Sequence, residues 1–200
     1  MKLTIIGASG HGKVVAEIAR LNGYEDIVFL DDNSSMRFCG NYPVIGPTSQ
    51  AVDGACIVAI GNGTIRERLS QGRKLATLIH PNAVIAEGVT IGEGTVVMPG
   101  VIINPGATIG KGCILNTASS VDHDCIVEDY VHIAVGAHLC GTVVVGRQTW
   151  IGAGATVSNN LTICSDCMIG AGAVVVRNLD QPGIYVGVPA KKRMAVDQNE

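Results

Sequence analysis

The chain has 200 residues, a net charge of −3, and 47% apolar but only 4% aromatic content. That length can bury a sizeable core. The charge offers no basic footprint for nucleic acid, and no apolar run is long enough to span a bilayer. Glycine, at 26 residues, is about twice its usual share, which suits stacked thin layers of Val, Ile, Ala and Gly. The opening MKLTIIGASG is too short an apolar run for a secretory leader. Seven cysteines without framework spacing read as reduced thiols in a cytoplasmic protein. The one close pair, Cys164 and Cys167, has no second pair to complete a zinc site, and no metal is expected.

Residues 1–78 alternate strand and helix. Leu3–Ile6 reads as a strand, Gly10–Leu21 as a helix and Ile27–Leu30 as a strand ending in Asp31-Asp32. Cys56–Ile60 reads as another buried strand, followed by Gly61. This is the pattern of an α/β, Rossmann-like nucleotide-binding domain. Its first turn, Gly7-Ala8-Ser9-Gly10-His11-Gly12, lies where backbone amides can hold phosphate. Asp31 follows about twenty positions later, where such domains contact ribose or base. The glycine spacing is GxxGxG, and residues 1–78 make only half of a doubly wound sheet. Both features favour a mononucleotide such as UDP over NAD. His11 in the turn either faces solvent or touches the ligand.

From Ile79 the pattern changes to a strict step of six. Ile79, Ile85, Ile91, Val97, Ile103, Ile109, Leu115 and Val121 begin it, and it runs without insertion to Val175. A small residue often sits two positions earlier (Thr95, Ala107, Ser119, Ala137), and Gly often follows (Gly92, Gly110, Gly146, Gly152). This is the hexapeptide signature of a parallel β-helix with triangular coils of about 18 residues. The following glycines are expected to supply positive φ at tight corners. The residues just before the inward aliphatics stack outward as Val96, Ile114, His132, Trp150 and Met168. That apolar stripe is expected to be a subunit interface or ligand groove, with three-fold packing as its closed solution.

The stretch Ser119-Ser120-Val121-Asp122-His123-Asp124 places a histidine at a prism corner between two carboxylates. Flanking acids favour the imidazolium and can fix the tautomer, as a general base requires. His132 lies in the stripe, opposite that corner, so a site using both must be shared between subunits. His138 shares an outer face with Ser120 and Thr156, and His80 opens the first coil. A zinc site from His123, His132 and His138 would need histidines that one coil spreads over different sides.

The motifs GASGHG, FLDD, AIGN, ILNTASSVDHDC, HIAVGAHLCG and GVPAK, in this order around the hexapeptide run, resemble the NeuD/PglD family of bacterial sugar acyltransferases. Within it the PglD-type UDP-4-amino-sugar N-acetyltransferases of bacillosamine synthesis match best. The resemblance covers nearly the whole chain. It implies a left-handed β-helix acyltransferase domain with C-terminal tail over 79–200, and a homotrimer with sites between subunits. It implies His123 as the base that deprotonates the sugar's 4-amino group during direct attack on acetyl-CoA. An orienting acid follows it, Asp124, with Asp122 as the other candidate, and Asn116 positions the acetyl group. It implies acetyl-CoA contacts at His132, Ala153 and Ala171, and UDP-amino-sugar contacts at Ser9, Gly10, His11, Asp31, Asp32 and Gly61. The GVPAK tail would run near the CoA phosphates. Acetyl-CoA is the co-substrate. The rival readings are O-acetylation of a sugar hydroxyl and a non-enzymatic nucleotide-binding scaffold. An acyl-cysteine route has no cysteine beside a histidine in the motifs.

Overall fold

A computed structural model of the chain describes residues 1–193; the end of the expected C-terminal tail lies outside them. β1 (Lys2–Ile6) is buried on both faces from Leu3 to Ile6, as a central parallel strand must be. α1 (Gly10–Leu21) is N-capped by Ser9. It ends at Asn22, whose Nδ2 donates to Ile18 and to Ile79 at the start of the prism. β2 (Asp26–Leu30), the hairpin of β3 (Phe38–Cys39) and β4 (Tyr42–Gly46), β5 (Ala55–Val58), α2 (Gly63–Ser70) and β6 (Lys74–Leu75) follow.

The sheet order is β3-β4-β2-β1-β5-β6, all parallel except the β3–β4 pair. β1 therefore lies between β2 and β5, so the strand order reverses at β1. A crevice opens there at the carboxyl ends of the three strands. The loops at that edge are stitched together. Gly7 N donates to Leu30 O, Ala59 N to Ile6 O, and Ala8 N to the Asp31 carboxylate at 2.8 Å.

From Leu78 the chain winds as a parallel β-helix. One face stacks Leu78, Val96, Ile114, His132, Trp150 and Met168 in register, in steps of 18 residues. The second stacks Val84, Ile102, Ser120, His138, Thr156 and Val174. The third stacks Thr90, Thr108, Ile126, Val144 and Thr162. The inward aliphatics from Val97 to Val175 are buried. Gly183–Val186 extends the first face, and Lys191–Lys192 folds back on it antiparallel, so the GVPAK segment forms a turn over the last coil.

Two expectations are corrected. Positive φ does not fall on the glycines that follow the inward aliphatics. It falls two residues later, at every sixth position from 88 to 172, and Ala118, Asp124, Tyr130, Thr142, Gln148, Asn160 and Asp166 adopt it as well as glycine. The following glycines are needed for a different reason, close stacking of the coils. A Cβ at Gly92 would stand 2.4 Å from Lys111 N, and one at Gly146 would stand 2.4 Å from Ser165 N.

The second correction concerns the stripe. Val96, Ile114 and His132 are buried, Trp150 is half-buried, and only Met168 is exposed. The chain's own N-terminal layer covers that face, with Arg66 reaching the coil backbones at Gly112 and Tyr130. Along Val96, Ile114 and His132 the partner of this apolar surface is the chain's own first layer, so an intersubunit contact is not what buries them.

Candidate active site

Two groups of candidate residues form on opposite sides of the prism. The first lies in the crevice, where the β1, β2 and β5 ends meet the covered face. Ser9 Oγ caps α1, accepting from Gly12 N at 3.5 Å, and Gly10 faces open space, with nothing within 4 Å of an added Cβ. Asp31 accepts from Ala8 N and Asn33 N, and Asp32 from the Thr48 amide and hydroxyl. Both carboxylates border a cleft of about 340 Å³ with Asn33, Arg37 and Pro47, and Ser9 and Gly10 border a second of about 300 Å³ with Lys13 and Phe38.

At the crevice floor, His11 approaches His132 with ring centroids 6.4 Å apart, and His132 packs on Trp150 at 4.3 Å. Gly61 lies over both; a Cβ there would stand 3.2 Å from Trp150 and 3.7 Å from His132 Nδ1. Burial, then the charge of Arg66, pushes His11 down to about 4 and His132 down to about 3, so both rings are neutral near pH 7. Asn116 Oδ1 accepts from Thr117 N, which turns its Nδ2 toward His132 Nε2 at 3.2 Å. A ring accepting at Nε2 carries its proton on Nδ1. Among the described residues, Nδ1 of His132 and Nε2 of His11 are both buried without a hydrogen-bond partner. His132, expected to contact acetyl-CoA from a neighbouring subunit, stands beside His11 and Gly61 of its own chain.

The second group is the SSVDHD corner. His123 Nδ1 meets Asp124 Oδ2 at 2.8 Å, and both side chains are more than half exposed. Asp124 occupies one of the left-handed corner positions, φ 58°, a conformation aspartate tolerates better than most residues. Asp122 does not touch the ring. Its Oδ1 accepts from Asn104 Nδ2 at 2.7 Å and from the His123 amide at 2.8 Å, bracing the backbone. The hydrogen bond to Asp124, reinforced by the charges of both aspartates, raises the His123 pKa above the ordinary imidazole value. With Nδ1 bonded to a carboxylate, Nε2 is left free to accept a proton.

Asn116 is not at this corner. It lies at the junction of the first and second faces, as do the exposed Ala153 and Ala171 in later coils, where Gly172 N donates to Ala153 O. Ser120 Oγ, by contrast, bonds His138 Nδ1 at 2.8 Å on the second face.

Residues 2–72 match the family model described as the PglD N-terminal domain, and residues 88–121 and 142–177 match bacterial transferase hexapeptide repeats. The acetyltransferase domain of PglB from Neisseria gonorrhoeae, solved in complex with acetyl coenzyme A, is 41% identical. That match covers 96% of this chain and 98% of that one, with a TM-score of 0.91. The chain belongs to the PglD family of hexapeptide-repeat acyltransferases.

Two further relatives of this PglD-family chain carry different nucleotides in their descriptions. PerB from Caulobacter crescentus, solved with CoA and GDP-perosamine, is 36% identical; the match covers 97% of this chain and 98% of that one, with a TM-score of 0.90. UDP-N-acetylbacillosamine N-acetyltransferase from Bacillus subtilis is 34% identical over 108 residues, 46% of this chain and 49% of that protein. The chain spans about half the length of the curated relatives it matches.

The coils on either side of the His123 corner leave room for its side chains. An added Cβ at Gly106 would stand 2.4 Å from Asp124 Oδ1, and one at Gly141 would stand 2.4 Å from His123 Nε2 and 2.6 Å from Cε1. Gly141→Ala should therefore swing the imidazole off its seat without straining a left-handed backbone. If His123 acts on substrate, kcat should fall by up to about 100-fold, the scale of a misplaced catalytic group. Steady-state kinetics beside a thermal melt would check this: unchanged kcat would mean that the ring's seat is irrelevant.

Proposed function

We propose that this chain is an acetyl-CoA-dependent N-acetyltransferase acting on the 4-amino group of a UDP-4-amino-4,6-dideoxy sugar. It would work in the cytoplasm as a homotrimer with sites between subunits. The observation that carries the chemistry is the His123–Asp124 contact on an outward corner, with Nε2 unbonded. In the proposed step the sugar amine attacks the thioester carbonyl and the N–C bond forms. His123 Nε2 takes the amine proton, and the C–S bond breaks to release CoA thiolate. No covalent enzyme intermediate is needed, because a thioester is already activated. The site's work is to orient two substrates and remove a proton.

The division of the candidate residues supports a shared site. Ser9, Gly10, Asp31 and Asp32 border the two clefts, and His11 and Gly61 meet beside His132; together they are proposed to hold the nucleotide sugar. His123 and Asp124 stand at the corner opposite the covered face, so a neighbouring prism must bring base and acceptor together. Asn116 is proposed to position the acetyl group, with Ala153 and Ala171 offering backbone contacts to CoA along its own corner. His132 joins the crevice floor, where its Nδ1–H is available to the acceptor or the thioester end. An acyl-cysteine route through Cys113 or Cys167 is disfavoured, since burial pushes those thiols up to about 12.

A GDP-linked 4-amino sugar is the second reading, favoured by the GDP-perosamine bound to PerB. Mass spectrometry after incubation with acetyl-CoA and either UDP- or GDP-4-amino-4,6-dideoxy sugar tests both. A gain of one acetyl group on the UDP sugar alone supports the first. Acetylation of the GDP sugar alone replaces it with the second. No acetylation of either amine, but transfer to a sugar hydroxyl, overturns both in favour of O-acetylation.

A further inference from the structure

Arg66, which ties α2 to the prism, has no part in the chemistry proposed above. It is 1% exposed on α2, and it donates five hydrogen bonds, all to backbone carbonyls. Nε reaches Gly112 O at 2.5 Å; Nη2 reaches Tyr130 O at 2.5 Å and Val131 O at 3.3 Å; Nη1 reaches Ile60 O at 2.8 Å and Gly61 O at 2.9 Å. Among the described residues no carboxylate pairs with it. The neighbouring Glu67 instead bonds Arg147 and Gln148 on the prism.

A buried cation without a counter-ion is a costly way to join two layers, and an apolar contact would hold them as well or better. What the guanidinium adds is geometry. Gly112 and Tyr130 occupy equivalent corner positions in successive coils, so one edge of the planar fork spans two rungs of the prism. The remaining nitrogen holds the loop at the carboxyl end of β5. That loop carries Gly61, which rests on Trp150 and His132. A lysine, with a single donor centre, cannot serve both sides at once.

We propose that Arg66 is a positioning residue for the acceptor site: it fixes the Ile60–Gly61 loop to the prism so that Gly61, His11 and His132 meet in one geometry. The proposal rests on the reading of this crevice as the nucleotide-sugar site.

Trp150 gives a readout that needs no substrate, because it is the chain's single tryptophan and lies under Gly61. In full-length Arg66→Lys and Arg66→Met, its emission should move to the red as the loop lifts. The KM for the nucleotide sugar should rise about tenfold or more, the scale of losing hydrogen bonds from a charged donor. The KM for acetyl-CoA should change by less than about twofold. Arg66→Lys keeps the charge and guards against simple misfolding, which circular dichroism and the melting temperature report. Unchanged emission and KM in Arg66→Lys would overturn the proposal. A parallel rise of both KM values with a large loss of thermal stability would reduce Arg66 to a structural tie and overturn it too. If the wild-type protein acetylates no nucleotide sugar, the acceptor reading fails, and the Trp150 shift still decides whether Arg66 sets the loop.

Discussion

Replacing His123 by alanine should lower kcat by roughly 10²–10⁴-fold, the usual worth of a placed general base. The KM values should change little, because the ring stands on an exposed corner and holds no backbone hydrogen bond through its side chain. The Asp124→Asn variant separates orientation from charge. Asparagine tolerates the left-handed φ of position 124 about as well as aspartate, so the corner should keep its shape. A general base is active when neutral, so with His123 in that role kcat/KM should fall on the acid side as the ring takes up a proton. Asp124 raises the His123 pKa and holds that acid limb at higher pH. Removing the carboxylate charge should move the limb to lower pH and reduce the plateau rate. Asp122→Asn should move the limb the same way but by less, since Asp122 acts on the ring through its charge alone while its hydrogen bonds go to the His123 amide and Asn104. A pH–rate profile of the three variants beside wild type checks the set. An unmoved limb in Asp124→Asn would remove Asp124 from the mechanism, and full activity in His123→Ala would remove the histidine.

Much of this geometry is legible in the chain because its parts are local. A step of six fixes which residues face the prism core, and the residue after Asp122 then falls at a corner whatever the rest of the molecule does. The carboxyl ends of β1, β2 and β5 likewise follow from strand, glycine turn and helix in order, and they deliver Ser9, Asp31 and Gly61 to one edge of the sheet. Arg66 and its helix escape notice for the opposite reason. The segment GTIRERLS has no apolar stripe, and only Arg66 and Ser70 are buried on it. Its place is set by carbonyls of coils 46 and 64 residues away. The stripe through His132 shows the same limit. Periodicity reveals that the face is apolar and outward, but a repeat carries no information on whether a second subunit or the chain's own first layer covers it. The histidine's chemistry changes with that answer, from an exposed ring to a neutral one pushed down to about 3.

The glycines of the prism divide into two kinds, and substitution should separate them by stability. Gly136 has φ 62° and nothing within 4 Å of an added Cβ. Gly136→Ala should cost only the left-handed strain, about 1–2 kcal/mol, at a type of corner that Ala118 already occupies. Gly146 has no left-handed φ, but a Cβ there would stand 2.4 Å from Ser165 N, 2.7 Å from Cys164 C and 2.9 Å from Ser165 Cα. Those are backbone atoms of the next coil, pinned on either side by Gly146 N to Ile163 O at 2.8 Å and Asp166 N to Arg147 O at 3.0 Å. They cannot rotate away as a side chain would. Gly146→Ala should therefore cost about 3 kcal/mol or more, the upper range of overpacking. For a chain of this size about 1 kcal/mol shifts Tm by about 2–4 °C. The Gly136 variant should then melt a few degrees low and the Gly146 variant about 10 °C low. Thermal melts of the two proteins side by side would reveal the order. A larger loss at Gly136 would mean that corner φ, and not the spacing between coils, governs where this repeat requires glycine.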